Sequence, residues 1–119
     1  MLPETLPGLN LAQALERQDG DVAFVKSLLL VFASKHGEVD REIRQALSCG
    51  DREQAIRCVH TMKSVSSYIG ATQLQTLATK LESVLKEEDE VQLKPLLADF
   101  STEVGQVMAS IDKLELEPA

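Results

Sequence analysis

One histidine in this chain stands where it can act as a nucleophile. In the stretch His60-Thr61-Met62-Lys63-Ser64-Val65-Ser66-Ser67-Tyr68-Ile69-Gly70-Ala71 the other polar positions are small or basic. On a helix turning about 100° per residue, Ala55, Val59, Met62, Ser66 and Ile69 fall on one face, flanked by Cys58 and Val65. His60 then projects roughly 140° from the centre of that stripe, among Arg57, Ser64 and Ser67. Lys63 follows one turn on, within side-chain reach of the ring. Imidazole keeps a neutral, nucleophilic nitrogen available near neutral pH. With a cation beside it and little bulk around it, it suits a phosphoryl group, whose transfer needs positioning and charge neutralisation more than side-chain chemistry. The plain alternative is an exposed helix histidine without a role.

The wider pattern resembles the signature of histidine-containing phosphotransfer (HPt) domains, commonly His-x-Leu-Lys-Gly followed by small residues and then Gly-Ala. Lys63, Gly70 and Ala71 match it. Met62 stands for the usual Leu, a volume-conserving exchange, and Ser64 in place of Gly is the main departure. Leu6-Pro7-Gly8-Leu9, the segment from Gly20-Asp21 to Phe32, and Leu81-Glu82 also look like this family, so the resemblance runs from about Leu6 to about Leu114.

The resemblance implies a role for each residue near the ring. His60 would take the phosphoryl group from an aspartyl phosphate on a receiver domain and pass it on. Lys63 would compensate the charge of the phosphorylated ring. Ser64 and Ser67 would leave room for a partner to approach, with Gly at position 64 leaving more. Glu82 stands where the family often places Gln or Glu near the histidine and would orient the imidazole by accepting a ring N–H; an ordinary surface glutamate is the alternative. Ile56, Arg57 and Tyr68 would form a rim that docks a receiver helix. His36, at a helix end, fits charge complementarity with the helix dipole and has no catalytic part.

Composition narrows the field. The 119 residues are 44% hydrophobic, enough for one core, and the longest apolar run, Leu28 to Ala33, is far too short to span a bilayer. No secretory signal is recognisable at the N-terminus. A net charge of −7 argues against a nucleic-acid partner, which needs a basic stripe. Cys49 and Cys58 read as reduced thiols in a cytoplasmic protein, and no CxxC or HxxxH spacing suggests a metal site. Nothing resembles a phosphate-cradling GxxxxGK loop, so no bound nucleotide or other cofactor is expected, and phosphorylation from ATP is not. Mg²⁺ is expected on the partner receiver.

Helical periodicity dominates and strand signals are nearly absent. Asn10 with Gln13 caps a short helix to about Arg17; Asp21 caps a second, which ends at Lys35-His36-Gly37. A third segment, Glu38–Ser48, either follows that glycine stop or continues the second helix with a kink. Asp51 with Gln54 caps the His60 helix, and Gly70 stops it. Thr72 to about Lys86 places Leu74, Leu77, Ala78, Leu81, Val84 and Leu85 inward. Glu87-Glu88-Asp89-Glu90 precedes a last helix with Leu93, Leu97, Phe100, Val104, Val107, Ile111 and Leu114 on its apolar side. Pro95 predicts that this helix starts near Lys94 or kinks there.

The expected fold is all-α: an antiparallel four-helix bundle of Glu38–Ser48, Asp51–Ile69, Thr72–Lys86 and Lys94–Leu114, with one or two additional N-terminal helices packed on it. Residues 1–119 form one domain, with an N-terminal arm over 1–8 and a frayed tail over 116–119. The expected function is that of a monomeric phosphocarrier serving receiver domains of a hybrid sensor kinase or response regulator. Two rivals share the surface: a bundle that docks a receiver without transfer, and the phosphoacceptor fragment of a sensor histidine kinase. The latter usually carries an acidic residue directly after its histidine, where this chain has Thr61.

Overall fold

Three capping residues picked out by the sequence, Asn10, Asp21 and Asp51, do what their chemistry suggests, and Asp89 does the same for the last helix. In the computed structural model, which describes residues 2–116, six helices follow a small hairpin. The hairpin strands are β1 (Thr5–Leu6) and β2 (Leu9–Asn10). The helices are α1 (Leu11–Arg17), α2 (Val22–His36), α3 (Val39–Ser48), α4 (Arg52–Tyr68), α5 (Thr72–Glu87) and α6 (Glu90–Lys113). Asn10, Asp21, Asp51 and Asp89 each accept, through a side-chain oxygen, the backbone N–H three residues on, at 3.0–3.2 Å. Each bond satisfies a donor that the first helical turn leaves free.

Helices α3, α4, α5 and α6 form a ring in which each packs on the next and α3 closes against α6. The turns between them are too short for anything but antiparallel neighbours. The apolar stripes meet inside: Ile43 of α3, Val59 and Met62 of α4, Leu74, Leu81 and Leu85 of α5, and Phe100 and Val107 of α6 are fully enclosed. Of the two added helices, α1 packs on α4 and α2 on α6, and Val25, Leu29 and Phe32 of α2 join the same core. This is the expected four-helix bundle with two N-terminal helices.

Three local features differ from expectation. Gly37 does not take a left-handed stop; its φ of −61° and ψ of −22° are helical, so α2 and α3 meet at a bend. Its lack of a side chain leaves room for Met108, whose Cε lies 2.8 Å from where a Cβ would sit. Helix α6 starts at Glu90, ahead of Pro95, rather than near Lys94. The Asp89 cap and the burial of Leu93 and Leu97 on either side hold the turn, and the carbonyl that Pro95 cannot serve belongs to Val91, 86% exposed and open to water.

The expected N-terminal arm, over its described residues, is a docked hairpin. Thr5 pairs with Asn10 and Leu6 with Leu9 around Pro7-Gly8, and Leu2 and Leu9 are buried. Ser110 of α6 donates its hydroxyl to the Pro7 carbonyl at 2.5 Å, and the Asn10 N–H donates to the Gly70 carbonyl at 2.8 Å. That second contact explains why glycine stands after α4. Gly70 has φ +72°, and a Cβ there would lie 2.1 Å from the Asn10 carbonyl oxygen. The hairpin thus ties α6 to the end of the helix that carries His60. Of the expected frayed tail, residues 117–119 lie outside the described residues, and Leu116 is half-buried against the core.

Candidate functional site

The turn from α4 to α5 spans only Ile69 to Ala71, so the two helices run side by side and their facing residues meet. Across that seam Glu82 Oε2 lies 2.8 Å from His60 Nδ1. Glu82 Oε1 lies 2.6 Å from Lys63 Nζ, and Lys86, one turn along α5, places its Nζ 3.6 Å from Oε2. The Glu82 side chain is 7% exposed and that of His60 67%. Glu82 is therefore an interior carboxylate reaching an exposed ring.

Electrostatics determine the tautomer. The Lys63 ammonium holds the Glu82 carboxyl below its usual range, outweighing the upward push of burial, and the bond to His60 and the charge of Lys86 act in the same direction. An ionised carboxylate only accepts, so His60 Nδ1 carries the hydrogen and donates it. In the neutral ring the lone pair then belongs to Nε2, the nitrogen not engaged by Glu82. The ring is thus held through Nδ1 by a buried carboxylate that leaves Nε2 unengaged.

Around the ring, α4 presents one long face. Ile56, Arg57, Ser64, Ser67 and Tyr68 all lie on the His60 side at helical spacing. Lys63, Ser64, Ser67 and Tyr68 line a shallow depression together with Gln75 and Thr79 of α5. Tyr68, 51% exposed, also borders an apolar groove with Phe24 and Leu28 of α2. Among the described residues no three His, Cys, Asp or Glu side chains gather as metal ligands, and no helix is long and apolar enough to cross a membrane.

The family model of the Hpt domain matches residues 27–115, most of the chain. The protein belongs to the Hpt-domain family. Hpt domains take part in histidine-based phosphotransfer within phosphorelays. A solved structure, the Hpt domain of the Hpt sensor hybrid histidine kinase from Shewanella, superposes with a TM-score of 0.82 and 22% identity. The match covers 96% of this chain and 100% of that one, a likeness of fold. No curated protein matches significantly.

Within this Hpt domain the expected site residues divide. His60, Lys63 and Glu82 form one connected cluster. Glu82 is not the surface glutamate of the alternative reading, because it is among the buried residues of α5. Ser64 is exposed, while Ser67 is half-buried and accepts a hydrogen bond from the Arg17 guanidinium of α1. Of the two serines, Ser64 is therefore the open one beside the ring. Arg57 is exposed and donates to Gln54 Oε1 at 2.7 and 3.1 Å. Ile56 is half-buried against the core, so it edges the bundle more than it rims a surface.

His36 stands in the last turn of α2 beside Lys35; its ring centroid lies 5.9 Å from that of Phe32, and burial lowers its pKa. Cys49 and Cys58 are both free thiols. Two members of the site were missed by sequence reading. Lys86 had a signal, since it follows Glu82 by four residues on a helix. Arg17 had none, because fifty positions separate it from Ser67.

Proposed function

We propose that this Hpt domain is a phosphocarrier whose acceptor is His60, taking a phosphoryl group from a receiver-domain aspartyl phosphate and passing it to the aspartate of a second receiver. The observation that carries the reading is the bond from His60 Nδ1 to the buried Glu82 carboxylate. A surface built only for docking has no use for a buried, charged side chain that fixes one tautomer of an exposed imidazole.

The step balances without a cofactor on this chain. The Nε2 lone pair forms the N–P bond as the P–O bond to the receiver's aspartate breaks. The aspartate leaves as a carboxylate with the bonding pair. The proton on Nδ1 stays in place, and the ring, now formally cationic, faces the Glu82 anion. Lys63 supplies positive charge on the same side of α4. Mg²⁺ belongs to the receiver. Ser64 sets how closely that partner approaches, and Arg57, Tyr68 and Ile56 border its landing area. The working state proposed is a cytoplasmic monomer that does not phosphorylate itself from ATP.

The test is phosphotransfer from a labelled receiver to the parent chain and to His60→Gln. The ring is exposed but donates to the buried Glu82, so the substitution should cost no more than about 1.5–3 kcal/mol of stability and leave helicity unchanged, while labelling disappears. Equal labelling of the variant would assign the acceptor elsewhere. Stoichiometric labelling by ATP alone would revive the kinase-fragment reading.

A further inference from the structure

The site holds two lysines on one carboxylate, and only one of them stands beside the ring on α4. Lys63 is drawn to Glu82 Oε1 at 2.6 Å and is 30% exposed; Lys86 stands off Oε2 at 3.6 Å and is 60% exposed. The tight, half-sheltered cation shares α4 with His60, one turn on, and the loose one stands on α5 with Glu82. A glutamate followed four residues later by lysine is a common helix-stabilising pair, and that alone would explain Lys86 on an open surface. Here, however, the glutamate is buried and its Oε2 is the same oxygen that accepts from His60 Nδ1.

Phosphorylation upsets this arrangement. A dianionic phosphoryl group on Nε2 competes with Glu82 for Lys63. If Lys63 turns toward it, Glu82 loses its closest counterion, and an uncompensated buried carboxylate is costly. We infer that Lys86 closes onto Glu82 as Lys63 turns to the phosphoryl group, so that the two lysines exchange duties between the free and phosphorylated states. Lys86 is then a positioning residue: it never touches the reacting atoms and acts through Glu82. No bond is made or broken in the exchange.

This inference rests on His60 being the acceptor, and its test separates the two. Purified chain is loaded with the small donor phosphoramidate, which removes receiver docking from the measurement, and the phosphohistidine half-life is followed by ³¹P NMR. The pH titration of His60 in the unloaded chain is followed in parallel. Removing a cation from Glu82 should raise the proton affinity of His60 and shorten the half-life, each by about two- to fivefold, the scale of a partly exposed ion pair. Lys86→Arg should restore both. In a Glu82→Gln background there is no anion to compensate, so Lys86→Ala should change neither. Unchanged titration and half-life in Lys86→Ala would overturn the inference. So would a half-life that still falls when Glu82 is Gln, since Lys86 would then act on the phosphoryl group directly. Failure of the parent chain to load at His60 would instead overturn the acceptor reading, leaving the titration to judge the coupling of Lys86 to Glu82.

Discussion

Two glutamates on neighbouring helices are almost equally buried and have opposite fates. Glu82 of α5 is 5% exposed and Glu103 of α6 is 7% exposed. Glu82 meets two ammonium groups and a ring N–H, and its pKa is lowered. Glu103 meets Gln106, which donates to Oε1 at 3.1 Å; its Oε2 is buried without a hydrogen-bond partner and lies beneath Gly8 of the hairpin, and burial raises its pKa. Burial alone, then, does not decide what a carboxyl does. On α5 cations turn it into a fixed anion that can aim a histidine. On α6 it is a load carried by the packing.

The two groups also pull stability in opposite directions with pH. Glu82 titrates lower in the folded chain than its ordinary 4.5, so its contribution is present above that value and is lost as pH falls through the folded pKa. Glu103 titrates above 4.5 in the folded chain, so its contribution is full below that value and is lost as pH rises through the folded pKa.

The largest effect should come from blocking access to the aimed ring. Ser64→Leu, at an exposed position away from the core, should nearly abolish transfer from a labelled receiver while circular dichroism stays unchanged. Ser64→Gly should speed transfer and lower stability slightly, glycine in a helix interior costing roughly 0.5–1 kcal/mol relative to alanine. If leucine at 64 transfers at the parental rate, the partner approaches from the Ile56 side instead.

Next comes the comparison itself. A hydrogen bond to a charged group is worth about 1.5–3 kcal/mol, so Glu82→Ala should slow transfer by about tenfold or more. Glu103→Gln should leave the rate within about twofold. Equal losses in the two variants would mean that both act by loosening the bundle.

The smallest effect concerns stability. Glu103→Gln removes a buried ionisable carboxyl and should raise the unfolding free energy near pH 7 in urea titrations. The gain should shrink toward pH 4, where Glu103 is protonated anyway. A gain independent of pH would mean that packing, not ionisation, limits this site.

Much of this was legible along the chain. The caps at Asn10, Asp21 and Asp51 and the stripe from Ala55 to Ile69 depend on neighbours within a turn or two, and they read correctly; the cap at Asp89 was not singled out from its acidic turn. Glu82 was half legible: Ala78, Glu82 and Leu85 share a helical spacing, so the inward stripe of α5 already included a carboxyl. Glu103 stands likewise between Phe100 and Val107. The hairpin was not legible, because strands of two residues carry no alternation. Nor was the need for glycine at position 70, since the clash it avoids is with Asn10, sixty residues away. Arg17 on Ser67 is invisible for the same reason. Contacts made by tertiary docking leave no periodic trace.

The role proposed for Glu82 is to hold the Nδ1 proton and leave Nε2 to react. It is tested most directly by ¹⁵N–¹H NMR of the His60 ring before and after phosphotransfer from a receiver. The account predicts a neutral Nδ1–H tautomer in the free chain, then phosphorus attached to Nε2 with the proton still on Nδ1. Phosphorus on Nδ1, or on the ring of His36, would contradict it.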